Sequence, residues 1–227
     1  MLPARSAAQT KMDGYSRHHS CGSRDGETDS GGSAAESERP PPSSHADPIS
    51  VEVLDGQRFV RLPAARLAEA VRTVCRLAGV ASAEISVAVV DNARIHDLNR
   101  RFLGHDHPTD VISFTYATHP VGPAEGMRGS GDEAVADVPA RGCAVEGEII
   151  VSGQMAAERA AEFGWRPEDE LLLYVVHGMW HVCGLDDRTE RERAAMRRLE
   201  RRALERLQVA WPEASGRAAQ TDGEGTR

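Results

Sequence analysis

The stretch from Pro167 to Asp187 constrains this chain more than any other. Proline is tolerated in the first turn of a helix, and Glu168, Asp169 and Glu170 behind it complement the positive end of the helix dipole. The apolar run Leu171-Leu-Leu-Tyr-Val-Val176 leads into His177-Gly-Met-Trp-His181-Val-Cys-Gly184-Leu-Asp186-Asp187. Histidines four residues apart stand one above the other on a helix face, so both imidazoles can reach one ion. Gly184 tolerates the left-handed backbone needed just past a helix end. The chain can then turn back and offer Asp187 to the same ion. Three protein ligands leave the fourth position of a tetrahedral zinc site open to water, which separates catalytic sites from closed structural ones.

One residue type is missing from this pattern. Zinc peptidases with this ligand spacing carry a glutamate directly after the first histidine, as general base for the attacking water. Here that position is Gly178. The sequence keeps the metal ligands and lacks the peptidase base, so a zincin-like metallopeptidase is a rival on spacing alone. Trp180 in the same helix reads first as core packing and second as a base-stacking ring.

The remaining elements follow from periodicity and caps. Val51–Leu54 is a short strand, and residues 64–78 form a helix ending near Gly79. Ile85–Val90 alternates as a strand, and Asp91 caps a helix over 92–103. Val111–Tyr116 and Glu148–Val151 are two further strands, and Ser152 caps a helix closed by Gly164. A last helix spans about 189–208. Between Ala117 and Gly147 the sequence is rich in Gly, Ala and Pro without periodicity, which predicts a flexible insertion over about 117–146. The expectation is an α+β fold, α/β-like in its alternation. A small mixed sheet of about four strands carries packed helices, with the metal site on a helix and the turn after it.

Composition sets the limits of this domain. Residues 1–48 are rich in Ser, Gly and Pro and predict a disordered arm, 49–212 the folded domain, and 213–227 a disordered tail. The four cysteines (Cys21, Cys75, Cys143, Cys183) show no paired spacing, which argues against a disulfide framework. No apolar run approaches the length of a membrane span, and the start lacks a secretory h-region, so a cytoplasmic protein without a membrane partner is expected. A net charge of −8 argues at first against nucleic acid, yet residues 188–208 hold eight arginines against four glutamates. Screening confines charge to about 8–10 Å, so one basic face can bind phosphate on an acidic protein. The other reading of these arginines is a solvated face laced with Glu–Arg pairs.

A second dense stretch runs Leu98-Asn99-Arg-Arg-Phe-Leu103-Gly-His-Asp-His107-Pro-Thr-Asp110-Val-Ile-Ser-Phe114. By itself, His-Pro-Thr-Asp before a strand is turn chemistry. Together with Gly147-Glu148-Ile-Ile-Val-Ser152 and the His177–Asp187 run, it resembles the YbeY family of bacterial endoribonucleases that mature ribosomal RNA. Three motifs in matching order over about residues 51–208 carry the resemblance. It implies one Zn2+ per chain on His177, His181 and Asp187, and cleavage of single-stranded RNA rather than DNA. It further implies action in the 3′-end maturation of small-subunit rRNA and in ribosome quality control, with the small ribosomal subunit and its assembly factors as partners. Asp186 matches the acid before the third ligand and is the candidate catalytic residue, orienting a ligand or acting as a weak base; a helix-end cap is its alternative role. Two positions depart from the family pattern. The third ligand is histidine in most members but Asp187 here, and the family arginine four residues beyond the asparagine falls on Leu103, leaving Arg100 or Arg101 to replace it. A non-catalytic, zinc-containing ribosome assembly factor is the remaining alternative.

Overall fold

The computed structural model describes residues 8–11, 47–121 and 138–211. Strand β1 is Ala8–Lys11 and β2 Ile49–Asp55; helix α1 spans Ala64–Ala78, followed by β3 Ser82–Val90 and α2 Asn92–Leu103. Strands β4 (Val111–Pro120) and β5 (Cys143–Ser152) precede α3 (Gly153–Phe163), α4 (Pro167–Val182) and α5 (Glu190–Arg206). The body is an open sheet in the order β4-β5-β3-β2, with β1 added beside β4. Strands β2, β3 and β5 are mutually parallel, whereas β4 runs antiparallel to β5, so the sheet is mixed and the fold α+β.

Alternation along the strands sorts the two faces. Ala83, Ile85, Val87 and Val89 of β3, with Val145, Ile149 and Val151 of β5, pack against α1 and α4 in the main core. The opposite face is covered by α2, where Ile95 meets Ile112, Phe114 and Ile150. The caps expected from the sequence form: Asp91 accepts from the Arg94 N–H, and Ser152 from the Met155 N–H. Gly79, Gly104 and Gly164 close their helices in the left-handed conformation. Helix α4 is buried at every residue from Glu170 to Val182, lying between the sheet, α1, α3 and α5. Trp180 is completely buried there, as core packing requires.

Two expectations change. Strands β4 and β5 reach well into the stretch expected to be an insertion over 117–146. Pairing continues from Ala117↔Glu146 to Pro120↔Cys143 after an irregularity at Tyr116. Alternation was hidden there because an inward position is a glycine. A Cβ on Gly147 would stand 2.7 Å from the Phe114 carbonyl oxygen and 2.9 Å from Val182 Cγ1, so no side chain fits between β4 and α4. Residues 122–137 of that stretch lie outside the described residues, as does the tail from 212 onward. Within the arm expected over 1–48, Ala8–Lys11 pairs in parallel with Ile112–Thr115 of β4, and β2 already begins at Ile49.

Replacing Gly147 by alanine forces β4 and α4 apart. It is expected to destabilise the fold by about 1–3 kcal/mol, seen as a lowered urea midpoint at unchanged slope.

Candidate metal centre

Helix α4 places His177 and His181 one turn apart on the side that faces α5, with their rings at 87° and centroids 4.5 Å apart. Past Val182 the helix closes through Cys183, and Gly184 adopts φ 91° against Pro139. That left-handed residue turns the chain back, so that Asp187 returns to the histidines. Ligand atoms of His177, His181 and Asp187 all lie within 4.8 Å of one another. They are the three residues that spacing singled out.

The outer ring nitrogens decide what this arrangement can hold. His177 Nδ1 lies 2.6 Å from Glu200 Oε1, and His181 Nδ1 lies 2.9 Å from the Leu185 carbonyl oxygen. Both partners accept, so both Nδ1 atoms donate and both Nε2 atoms are left with a lone pair when the rings are neutral. Those two Nε2 atoms face each other at 3.0 Å, with Asp187 Oδ1 at 3.9 Å from the second. Three electron-pair donors converge with no hydrogen among them, a donor set that fits a divalent cation of the zinc type.

Without a cation, a proton takes that place. Burial works against charge on His177, but the hydrogen bond and charge of Glu200, helped by Asp110 and Asp187, lift its pKa above the ordinary value. Burial and the neighbouring His177 push His181 down to about 4. Of the two rings, His177 is therefore the one that more readily holds a proton.

Surrounding residues complete the site. Asp186 accepts the Asp187 N–H at 2.8 Å and meets Arg188 Nε at 2.9 Å, so both its oxygens are engaged in the turn beside the trio. Arg193 Nη1 donates to the main-chain oxygens of Asp187 and Arg188, at 3.2 and 2.6 Å. Gly178 packs directly on the sheet: a Cβ would lie 2.8 Å from Ile149 Cγ2 and 2.9 Å from Val111 Cγ2. The position that carries the base in zinc peptidases therefore points into β4 and β5 and has no room for a side chain.

Two further acids, Asp110 and Glu200, lie near the histidines outside the motif. Asp110, buried at the start of β4, accepts from the Thr109 hydroxyl and the Val111 N–H, and burial raises its pKa while the charge of nearby His177 lowers it. Its segment looked like turn chemistry alone. Glu200 is one of the many charges of the last helix, yet it falls in register with the buried Met196, Leu199, Ala203 and Leu204. An acid on the apolar side of an amphipathic helix was the available signal. The substitutes for the missing arginine are otherwise engaged: Arg100 pairs with Asp97 at 3.1 Å, and the Arg101 guanidinium lies 5.8 Å from the Phe102 ring centre. Leu103 packs on the Ile95 cluster.

A family model described as endoribonuclease YbeY matches residues 53–208. The chain belongs to the YbeY family. Among proteins named endoribonuclease YbeY, it is 38% identical to that of Rhodopirellula baltica over 148 residues, 64% of this chain and 65% of the relative. It is 36% identical to the one from Pelotomaculum thermopropionicum, covering 56% of this chain and 74% of the relative. It is 43% identical to the one from Geobacillus thermodenitrificans, covering 50% and 66%. The chain thus spans slightly less than two thirds of the Rhodopirellula relative's length. The YbeY match begins within β2 and ends just beyond α5, so it encloses the trio, Glu200 and Asp110.

Replacing His177 or His181 by alanine should leave less than one zinc per ten chains after metal loading and dialysis, read by elemental analysis. Metal uptake by the unaltered protein should release protons, increasingly so at lower pH, because a protonated His177 must lose its proton to bind. Affinity should fall as pH drops through the raised His177 range, and titration calorimetry in two buffers checks both points.

Proposed function

We propose that this protein is a metal-dependent endoribonuclease that cuts single-stranded RNA. The observation that carries this reading is the convergence of two imidazole lone pairs and one carboxylate, with family membership supplying the substrate class. A zinc ion held by His177, His181 and Asp187 would supply a Lewis acid for a phosphate oxygen and a bound water of lowered pKa. Around it, Glu200 and the Leu185 carbonyl keep the imidazoles turned inward. Asp186 is the proposed proton acceptor or ligand-orienting acid, held at the lip of the site by the Asp187 N–H and Arg188. Arg188, one residue beyond Asp187 and with a side chain 77% exposed, is the proposed phosphate contact. Exposed arginines farther along α5 extend that cationic edge, which suits an unpaired strand whose backbone they neutralise.

The proposed cellular role is 3′-end maturation of small-subunit rRNA and ribosome quality control in the cytoplasm. The small ribosomal subunit and its assembly factors are the proposed partners. Among the described residues no helix is long and apolar enough to cross a membrane. A peptidase is disfavoured by the packing at Gly178.

Purified, zinc-replete protein should cut an unstructured RNA oligonucleotide and spare its duplex, and His177→Ala should lose at least about 100-fold in rate. Cleavage by the variant at the unaltered rate would refute the assignment. Asp187→His removes one negative charge from the ligand set, which should make the bound water more acidic and move the acidic limb of the pH–rate profile to lower pH.

A further inference from the structure

Helix α5 touches the ligand set at two points that nothing in the sequence motif includes. At one, Glu200 receives the Nδ1–H of His177 at 2.6 Å, with both side chains nearly sealed from solvent, at 4% and 7% exposure. At the other, Arg193 holds the carbonyl oxygens of Asp187 and Arg188 and so pins the main chain from which the third ligand springs. The helix is itself well anchored. It starts with a capping box, in which Thr189 and Glu192 exchange side-chain and backbone hydrogen bonds directly after the ligand turn. Met196, Leu199, Ala203 and Leu204 sink one side into the core, and the Leu207 carbonyl just past its end accepts from Arg66 of α1.

The energetic balance of Glu200 is hard to explain by folding alone. Burying a carboxylate is costly, and a buried ion pair is often no more stabilising than an apolar pair of the same volume. A leucine at this position would continue the apolar stripe. The acid does something a leucine cannot: it fixes which ring nitrogen of His177 carries hydrogen and holds the ring plane in place. Carboxylates placed behind ligating histidines orient them and strengthen them as ligands.

We propose that α5 is the positioning element of the metal centre, with Glu200 setting His177 and Arg193 setting Asp187. This rests on the reading of His177, His181 and Asp187 as metal ligands. The helix thereby has two jobs on two sides: its exposed arginines face solvent, and its inward Glu200 and Arg193 set the geometry of two ligands. His181 is set independently, by the Leu185 carbonyl.

The test uses the full chain and zinc or cobalt alone, without RNA. Glu200→Gln keeps size and shape but loses the charge, and its amide can present either end to Nδ1. Glu200→Asp keeps the charge but is one methylene too short to hold the contact. Both should weaken zinc binding by about 10–100-fold and shift the visible absorption of the cobalt-loaded protein. Arg193→Ala should weaken zinc binding by a smaller factor and alter the cobalt spectrum too. A residue serving the fold alone would lower the melting temperature of metal-free protein and leave both metal readings unmoved. Wild-type affinity and an unchanged cobalt spectrum in Glu200→Gln and Arg193→Ala would overturn the proposal, whatever their stability. Failure of the unaltered protein to bind zinc would instead refute the metal centre, and the positioning role with it.

Discussion

The structure depends on a helix that has no solvent side. From Glu170 to Val182, α4 is enclosed by the sheet and three other helices, and two of its enclosed side chains are imidazoles. Buried polar groups must find partners, and a histidine has two nitrogens to satisfy. The fold meets this need asymmetrically. It gives each Nδ1 an acceptor from outside α4 and directs each Nε2 toward the other histidine and Asp187. The inward-facing lone pairs follow from how the outer nitrogens are satisfied. The rest of the domain can be read as what keeps α4 enclosed at the right distance: glycines at 147 and 178 let it approach β4 and β5, and Gly184 turns the chain back around its end.

Much of this was legible in the sequence because local signals coincided with the tertiary outcome. Asp91, Ser152 and Pro167 marked helix starts, and Gly79 and Gly164 marked helix ends, since caps act within a few residues. The His177, His181 and Asp187 cluster was legible for the same reason, as its members sit within eleven consecutive positions. What escaped notice depended on distant contacts. The start of β5 lacks a side chain at the inward Gly147, where Val182 and the Phe114 carbonyl leave no room for a Cβ, so the strand period was muted there. Asp110 and Glu200 approach His177 from 67 positions earlier and 23 later, separations no local pattern spans.

Helix α5 shows how a single amphipathic element can mislead when only its charges are counted. Eight arginines and four glutamates between 188 and 208 suggest a polar surface, and most of them form one. Position along the helix matters more than charge. Glu200 shares the side of Met196 and Leu199 and is 3% exposed, whereas Glu190 and Arg191 are exposed. Glu200 on that inward side would also offset the charge of a cation held by the trio, which an all-apolar interface could not do.

The contact at Gly178 has a consequence for how this scaffold could acquire other chemistry. With Val111 and Ile149 methyl groups within 3 Å of where a Cβ would begin, a new side chain there must displace two neighbouring strands together. No single codon change delivers that. The floor beneath the histidine pair is therefore closed to a side chain, whereas the exposed Arg188 beside Asp187 has room to vary.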